Sequence, residues 1–289
     1  MADNFVAARP EFVREVASGA YGVVVKPLTA WDKLYNNGAL RKALLLALIA
    51  AVWEVYGTAL NNPLLFPRFS DTFAAFYNGI MSGVLLTRAW FSIKVLLQGY
   101  VIGLVLAALL TALAITSRIG NDLLETLTSM FNPLPAIALL PLALIWFGLG
   151  NASLVFVLVH SVLWAVALNT QSGFLSVSQT MRMVGRNYGL SGPRYVAQIL
   201  MPAAFPSILT GMKIGWAFAW RTLIAAELVF GVSSGSGGLG WFIYENKNQL
   251  EIPNVFAGLF SVIIIGLFVE NFIFQTVEKR TVRRWGMQS

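Results

Sequence analysis

The chain has 289 residues, of which 57% are hydrophobic and only 11% are charged, so it carries more apolar surface than a soluble core can bury. It has no cysteine and one histidine, which excludes disulfides and cysteine-ligated metals and leaves no predicted metal site. The net charge of +7 does not indicate nucleic-acid binding, because the basic residues lie beside apolar stretches and act there as topology signals. Together these features predict an all-α integral membrane protein.

The first segment, residues 1 to about 38, has mixed charge and no apolar run long enough for a signal peptide. We predict that it stays in the cytoplasm. Between Pro27 and Leu40, helical spacing places Leu28, Trp31 and Leu34 on one side, which favours a short helix at the membrane interface. A disordered tail is the alternative for the first twenty residues. The predicted domains are this segment (1–38), a transmembrane domain (39–277) and a basic cytoplasmic tail (278–289).

Six apolar stretches are predicted to cross the membrane as helices. Their approximate ranges are 40–60, 90–116, 133–148, 152–173, 206–231 and 253–276. The second and fifth contain glycine pairs at a spacing of four, Gly99 with Gly103 and Gly211 with Gly215, which allow close helix contact. The third is interrupted by Pro135 and Pro141, so we expect an irregular helix against protein or a cavity.

The connections between these spans also carry signals. Ser70 is a plausible N-cap of a short helix outside the membrane. Residues 118–125 are predicted as an inner loop, and residues 232–249 as an outer loop. Fourteen of the twenty Lys and Arg residues fall in the predicted inner segments. This asymmetry supports six spans with both termini in the cytoplasm of a bacterial inner membrane.

The fourth span places His160, Trp164 and Gln171 on one stripe. Polar and aromatic groups in a span either make hydrogen bonds to a neighbouring helix or line a pathway. Both interpretations stay open at this point, and all three residues are pathway candidates.

A basic, polar island follows from Gln179 to Pro206, with three arginines and no acidic residue. Within it, residues 188–193 indicate helix, turn, helix, because glycine ends one helix and proline begins the next. The island is expected to lie in the cytoplasm.

The fifth span carries charged residues that need water or a partner. Lys213, Trp220 and Glu227 lie near one line along the helix, and Arg221 flanks that line about 23 Å past Pro206. All four are pathway candidates. Arg221 could attract a small anion; alternatively, Arg221 or Lys213 pairs with Glu227 or Glu270.

The island resembles the cytoplasmic coupling loop of importer-type ABC permeases, whose pattern is Glu-Ala-Ala, three residues, Gly, nine residues, Ile-x-Leu-Pro. Gly189, Ile199 and Pro202 match that pattern, whereas residues 183–185 are Met-Val-Gly and Met201 replaces leucine. The family's glutamate contact to the ATPase is therefore not implied here. The resemblance implies a cytoplasmic coupling helix-turn-helix with these ATPase-coupling residues: Arg182, Arg186, Tyr188, Gly189, Leu190, Ser191, Gly192 and Pro193.

From about residue 65 to 285 the chain resembles the nitrate, sulfonate, taurine and bicarbonate group of ABC permeases. The signatures that agree in order include Ser92 with Gly99, Pro135 to Gly150, Ala225-Ala226-Glu227 and Gly238-Leu239-Gly240. The resemblance implies a homodimeric permease for a small anion such as nitrate, a sulfonate, bicarbonate or a carboxylate. It also implies two ATP-binding subunits, which hold ATP and Mg²⁺, and a periplasmic or lipid-anchored solute-binding protein.

The chain contains no phosphate-binding loop of the form Gly-x4-Gly-Lys-Ser/Thr, so we expect ATP hydrolysis on a partner and not in this chain. A secondary transporter is the main alternative. Two features count against it: the sequence has no evident internal repeat, and few acidic residues lie in the predicted spans to carry protons. A membrane enzyme would need a nucleophile-base pair or a metal cluster, and neither is evident.

Overall fold

The computed structural model describes residues 36–230 and 237–284, all of which are in helices, turns or irregular connections. The chain divides into two units, Met1–Ile49 and Ala50–Ser289. The described part of the first unit is the beginning of the first helix. Residues 27–35 of the predicted interfacial helix and residues 285–289 of the predicted tail lie outside the described residues. Residues 38–40 are the start of the first long helix.

The helices follow one another with short connections. In the first half of the chain they are α1 Gly38–Leu60, α2 Phe69–Met81, α3 Val84–Thr116, α4 Arg118–Phe131, a 3-10 turn Ala136–Leu139 leading into α5 Leu140–Phe147, and α6 Asn151–Leu175. In the second half they are α7 Gln179–Asn187, α8 Gly192–Tyr195, a π-helical turn Val196–Leu200 leading into α9 Met201–Phe230, α10 Leu239–Asn248, and α11 Ile252–Phe268, which continues through a π-helical turn Val269–Phe274 into α12 Gln275–Arg280.

Among the described residues, four helical stretches are long and apolar enough to cross a membrane: α1, α3, α6 and the continuous run Ile252–Arg280. A fifth is obtained if α4 and the helical segment Ala136–Phe147 are counted together as one broken span. These two pieces are bent by 89° at the break between them. The helix α9 has 30 residues but is less apolar, because it contains Lys213, Arg221 and Glu227. The chain is therefore a multi-pass membrane protein, while the count of six spans stays a prediction.

The centre of the bundle is α6, which packs between α3 and α9. A methyl group at Gly103 of α3 would lie 2.7 Å from Val162 Cβ, and one at Gly211 of α9 would lie 2.7 Å from Asn169 Cβ. Because these distances are below van der Waals contact, only glycine lets the backbones approach this closely. Both predicted glycine contacts are confirmed, on opposite partners of one central helix.

Two predicted connections are helical, so the loop predictions were wrong. Residues 118–125 begin α4, whose N-cap Ser117 accepts a hydrogen bond from Gly120 N at 2.9 Å. Their charged side chains face outward while Leu124 and Thr128 are buried, so the charges reflect one face of an amphipathic helix. The predicted outer loop likewise contains α10.

Two predicted span boundaries were also wrong. The second span begins at Val84, six residues earlier than predicted, and thereby includes Arg88. The fifth begins at Met201, with Pro206 inside the helix. A proline removes only one backbone donor, and here the helix runs through it from the preceding π-helical turn.

Candidate functional site

A cavity of about 340 Å³ opens where the chain breaks between α4 and the 3-10 turn. One wall is the irregular segment 132–137, in which Pro133 and Pro135 cannot donate backbone hydrogen bonds. The opposite walls are contributed by α6 and α9. The side chains from these two helices are His160, Ser161, Trp164, Phe218, Arg221 and Thr222. Irregular backbone at membrane depth is tolerated only against protein or a cavity, which is the arrangement found here.

Three rings form a cluster beside this cavity. Phe131 at the end of α4 stacks on Trp164, with ring centroids 5.6 Å apart and planes 11° apart. The imidazole of His160 meets Phe131 edge-on at 6.5 Å and Trp164 at 6.1 Å. Such contacts fix ring orientation, so the break after α4 is held against α6 by aromatic packing.

Two of these rings carry polar atoms without hydrogen bonds. The Phe131 backbone lies near the imidazole, but neither nitrogen of His160 makes a hydrogen bond within the usual geometry limits, and Trp164 Nε1 makes none either. Trp164 is only 7% exposed. These nitrogens have almost no accessible surface, and an unsatisfied buried donor costs about 1–3 kcal/mol.

Arg221 supplies the cavity with a charge that no carboxylate neutralises. Its Nε donates to Ala217 O at 3.0 Å, and its guanidinium lies 5.2 Å from the ring centroid of Phe218. Arg221 makes no salt bridge with any described residue. The alternative that Arg221 pairs with Glu227 or Glu270 was therefore wrong.

The other pathway candidates lie outside the cavity. Lys213 forms a salt bridge with Glu278 of α12, so the expected pairing with Glu227 or Glu270 was wrong for this residue also. Trp220 is 7% exposed and donates to Val262 O of α11 at 3.3 Å. Gln171 donates to Asn121 Oδ1 of α4 at 2.8 Å.

Glu227 is 4% exposed and anchors the connection to α10. Its carboxylate accepts hydrogen bonds from Ser92 Oγ of α3 at 2.9 Å and from Gly240 N at 2.8 Å. Ser92 Oγ in turn accepts from Leu239 N at 2.9 Å. The carboxylate of Glu227 thus joins α3, α9 and the start of α10.

Arg88 of α3 makes a second connection to this region. It donates a hydrogen bond to Gly237 O at 2.9 Å and forms a salt bridge with Glu245 at 3.2 Å.

At the opposite end of α9, α7 is closed by a glycine motif. Gly189 has φ +71°, Gly189 N donates to Arg186 O at 2.9 Å, and Leu190 N donates to Gly185 O at 3.1 Å. This pair of bonds is the Schellman arrangement, in which glycine takes the left-handed position. The helix, turn, helix predicted from residues 188–193 is present, with Gly192 at φ +55° opening the four-residue α8.

Two contacts fix α7 to the bundle. Arg182 donates to Phe174 O at 2.6 Å and to Val177 O at 3.1 Å, so it occupies carbonyls at the C-terminal end of α6. Gly185 packs on Tyr195, where an added methyl group would lie 2.8 Å from the ring. The Gly of the Met-Val-Gly triplet therefore lets α7 and α8 pack closely.

The surface of this helix pair is exposed and partly apolar. Tyr188 is 82% exposed and Met183 is 55% exposed. Arg186, Gly189, Ser191 and Gly192 are exposed as well, and Leu190 is half-buried. The side chain of Pro193 is not described. Exposed aromatic and Met side chains beside arginine are typical of protein contacts.

Sequence reasoning missed three side chains that line the cavity, Ser161, Phe218 and Thr222, and the ring of Phe131 beside it. Asn132-Pro133 marks the helix break beside Phe131, which could have identified it. Ser92 matched a family signature, but its role as a partner of Glu227 has no signal in the sequence, because the two residues are 135 positions apart.

Apolar spanning helices around a mostly apolar cavity that contains one arginine, with a glycine-closed helix pair at one end, are consistent with a multi-pass membrane transport protein. Residues 99–285 match the model of the binding-protein-dependent transport system inner membrane component family. The chain belongs to that family and is an ABC transporter permease.

The named relatives agree with this family. A protein of Methanocaldococcus jannaschii named as an ABC transporter permease is 30% identical over 242 residues, covering 82% of this chain and 90% of the relative. The nitrate import permease protein of Synechocystis is 29% identical over 249 residues, covering 83% and 88%. The taurine transport system permease protein of Escherichia coli is 31% identical over 150 residues, covering 52% and 53%.

Proposed function

We propose that two copies of this chain form the translocation pathway of an ATP-driven importer for a small anion. Nitrate, a sulfonate, bicarbonate and a carboxylate are the candidate substrates. A periplasmic or lipid-anchored solute-binding protein delivers the substrate, and two ATP-binding subunits, with ATP and Mg²⁺, supply the energy. Each chain crosses the bacterial inner membrane six times and keeps both termini in the cytoplasm.

The observation that carries the pathway is the unpaired Arg221 in the cavity between α6 and α9. A charged side chain in a span costs several kcal/mol unless it faces water or a partner. His160 and Trp164 line the same cavity. We therefore place the pathway along His160, Trp164 and Arg221, and leave out Gln171, Lys213, Trp220 and Glu227, which contact neighbouring helices.

The coupling contact is proposed for the α7–α8 pair. Its exposed Tyr188 and Met183 suit insertion into a cleft of an ATP-binding subunit, while Arg182 ties the pair to α6. Movement of the ATPase would thus be transmitted directly to a helix that lines the cavity. ATP binding then shifts the permease between two states that differ in affinity for the closed ATPase dimer.

The test replaces Gly189 by aspartate in the transporter reconstituted with its ATP-binding subunits. The left-handed φ of +71° is unfavourable for most side chains, but aspartate tolerates it better than most, so the main change is the carboxylate at the turn that is proposed to enter the cleft. We expect Gly189→Asp to reach the membrane in normal amount but to lose ATP-driven uptake and substrate-stimulated ATP hydrolysis.

The matched control is Gln179→Asp, which adds the same charge at the exposed start of α7, where a carboxylate is favourable. This variant should transport normally. Normal uptake and ATP hydrolysis by Gly189→Asp would show that the α7–α8 pair is not the coupling contact.

A further inference from the structure

We propose that the cavity between α6 and α9 binds an organic anion in which a single carboxylate or sulfonate is attached to a flat apolar body. A bare inorganic oxoanion is a poorer fit. This inference narrows the substrate class of the proposed function and rests on that function for the role of the site in transport. The binding itself is argued from the walls of the cavity.

The anionic group is assigned to Arg221. None of the described residues that line the cavity is acidic, so no carboxylate among them repels an anion. Because Nε is used by Ala217 O, the two terminal nitrogens of the guanidinium remain to bind a carboxylate or sulfonate through two parallel hydrogen bonds. The ring of Phe218 lies under the guanidinium and restricts where these nitrogens point.

The apolar body is assigned to the apolar part of the cavity lining. Trp164, whose ring stacks on Phe131, lines the cavity together with Leu134, Pro135 and Ile137. A flat ring packs well on such a surface, because aromatic contacts add about 0.5–1.5 kcal/mol beyond buried area.

The size of the cavity excludes a good fit to a small ion. Its volume of about 340 Å³ is at the lower end of the range for organic ligands, and each water occupies only about 30 Å³ of liquid. A single nitrate or bicarbonate at Arg221 would leave most of the apolar wall without contacts. Side-chain atoms that face empty space lose favourable dispersion contacts on that side. The apolar wall therefore favours a ligand large enough to contact it.

The test measures equilibrium binding of radiolabelled benzenesulfonate to the full chain in lipid nanodiscs, without ATP or other subunits. Benzenesulfonate should bind saturably, and methanesulfonate and nitrate should compete at least tenfold more weakly. Arg221→Gln should weaken benzenesulfonate binding at least tenfold. Arg221→Lys keeps the charge and should recover part of the affinity, which separates loss of the anion contact from misfolding.

The matched control is Lys94→Gln. Lys94 is also a cation beside an aromatic ring within a span, 5.8 Å from the ring centroid of Trp90, but it lines a different cavity. Its replacement should leave benzenesulfonate binding unchanged. Trp164→Leu should weaken benzenesulfonate binding and leave competition by methanesulfonate unchanged, because only the flat wall is lost.

Three results would overturn the inference: equal competition by nitrate, full binding by Arg221→Gln, or loss of binding in Lys94→Gln. None of them bears on ATP-driven transport, since no ATP is present. Conversely, intact binding in a chain that fails to transport with ATP would reject the proposed function and leave the ligand class standing.

Discussion

Individual polar residues of this permease differ in whether their hydrogen bonds are satisfied within the chain. Glu227 and Ser92 satisfy each other and two backbone N–H groups, whereas Arg221 lies at a cavity and makes no salt bridge with any described residue. Groups of the first kind hold the structure together, and groups of the second kind are available to a ligand. This distinction sets Arg221 apart from Lys213 and Glu227, the other charged residues of α9.

The role of Ser92 can be tested by removing its hydroxyl group. Ser92→Ala removes the acceptor of Leu239 N and one donor to Glu227, and both of those partners are buried. We expect the free energy of unfolding to fall by about 1–3 kcal/mol, measured by thermal denaturation in detergent.

Ser261→Ala is the control for Ser92→Ala. Ser261 is also buried, but among the described residues its hydroxyl bonds only to Ala257 O of its own helix at 3.0 Å, and that carbonyl keeps its place in the helix. Its replacement should change stability little. Equal effects of the two changes would contradict the anchoring role of Ser92.

At the scale of single helices, glycine positions decide how closely the spans pack. A methyl group at Gly99 would overlap Leu158 of α6, whereas one at Gly266 of α11 would lie 3.5 Å from the nearest atom, Trp220 Nε1. We expect Gly99→Ala to destabilise the protein by about 1–3 kcal/mol through overpacking. Gly266→Ala should be neutral or slightly stabilising, since alanine favours helix.

Thermal denaturation of both alanine variants in the same detergent checks this prediction. A change of similar size in the two would mean that the α3–α6 contact is not as close as the structure has it.

The sequence predicted α1, α3, α6, α9 and α11 as long helices, because apolar length is a strong local signal. It also predicted the glycine contacts and the turn at Gly189. It did not predict α4 or α10, whose polar faces have the composition of loops. Among the site residues, the sequence singled out Arg221, His160 and Trp164, but it could not tell which charged residues of α9 were paired. Their partners Ser92 and Glu278 are distant in the chain and are brought together only by packing.

At the scale of the whole molecule, family membership establishes an ABC permease. The cavity is the proposed route for substrate, and the α7–α8 pair is the proposed contact for energy input. The sequence contains no segment of the form Gly-x4-Gly-Lys-Ser/Thr, and the proposal assigns ATP hydrolysis to a partner subunit. A secondary transporter would instead draw its energy from an ion gradient and would need no second subunit.

The most direct measurement is uptake into proteoliposomes that contain the chain with or without its ATP-binding subunits, in the presence of the solute-binding protein. We predict that uptake requires both ATP and the ATP-binding subunits and continues after the proton and sodium gradients are collapsed. Gradient-driven uptake by the chain alone, unaffected by ATP, would contradict the assignment of this protein to an ATP-driven importer.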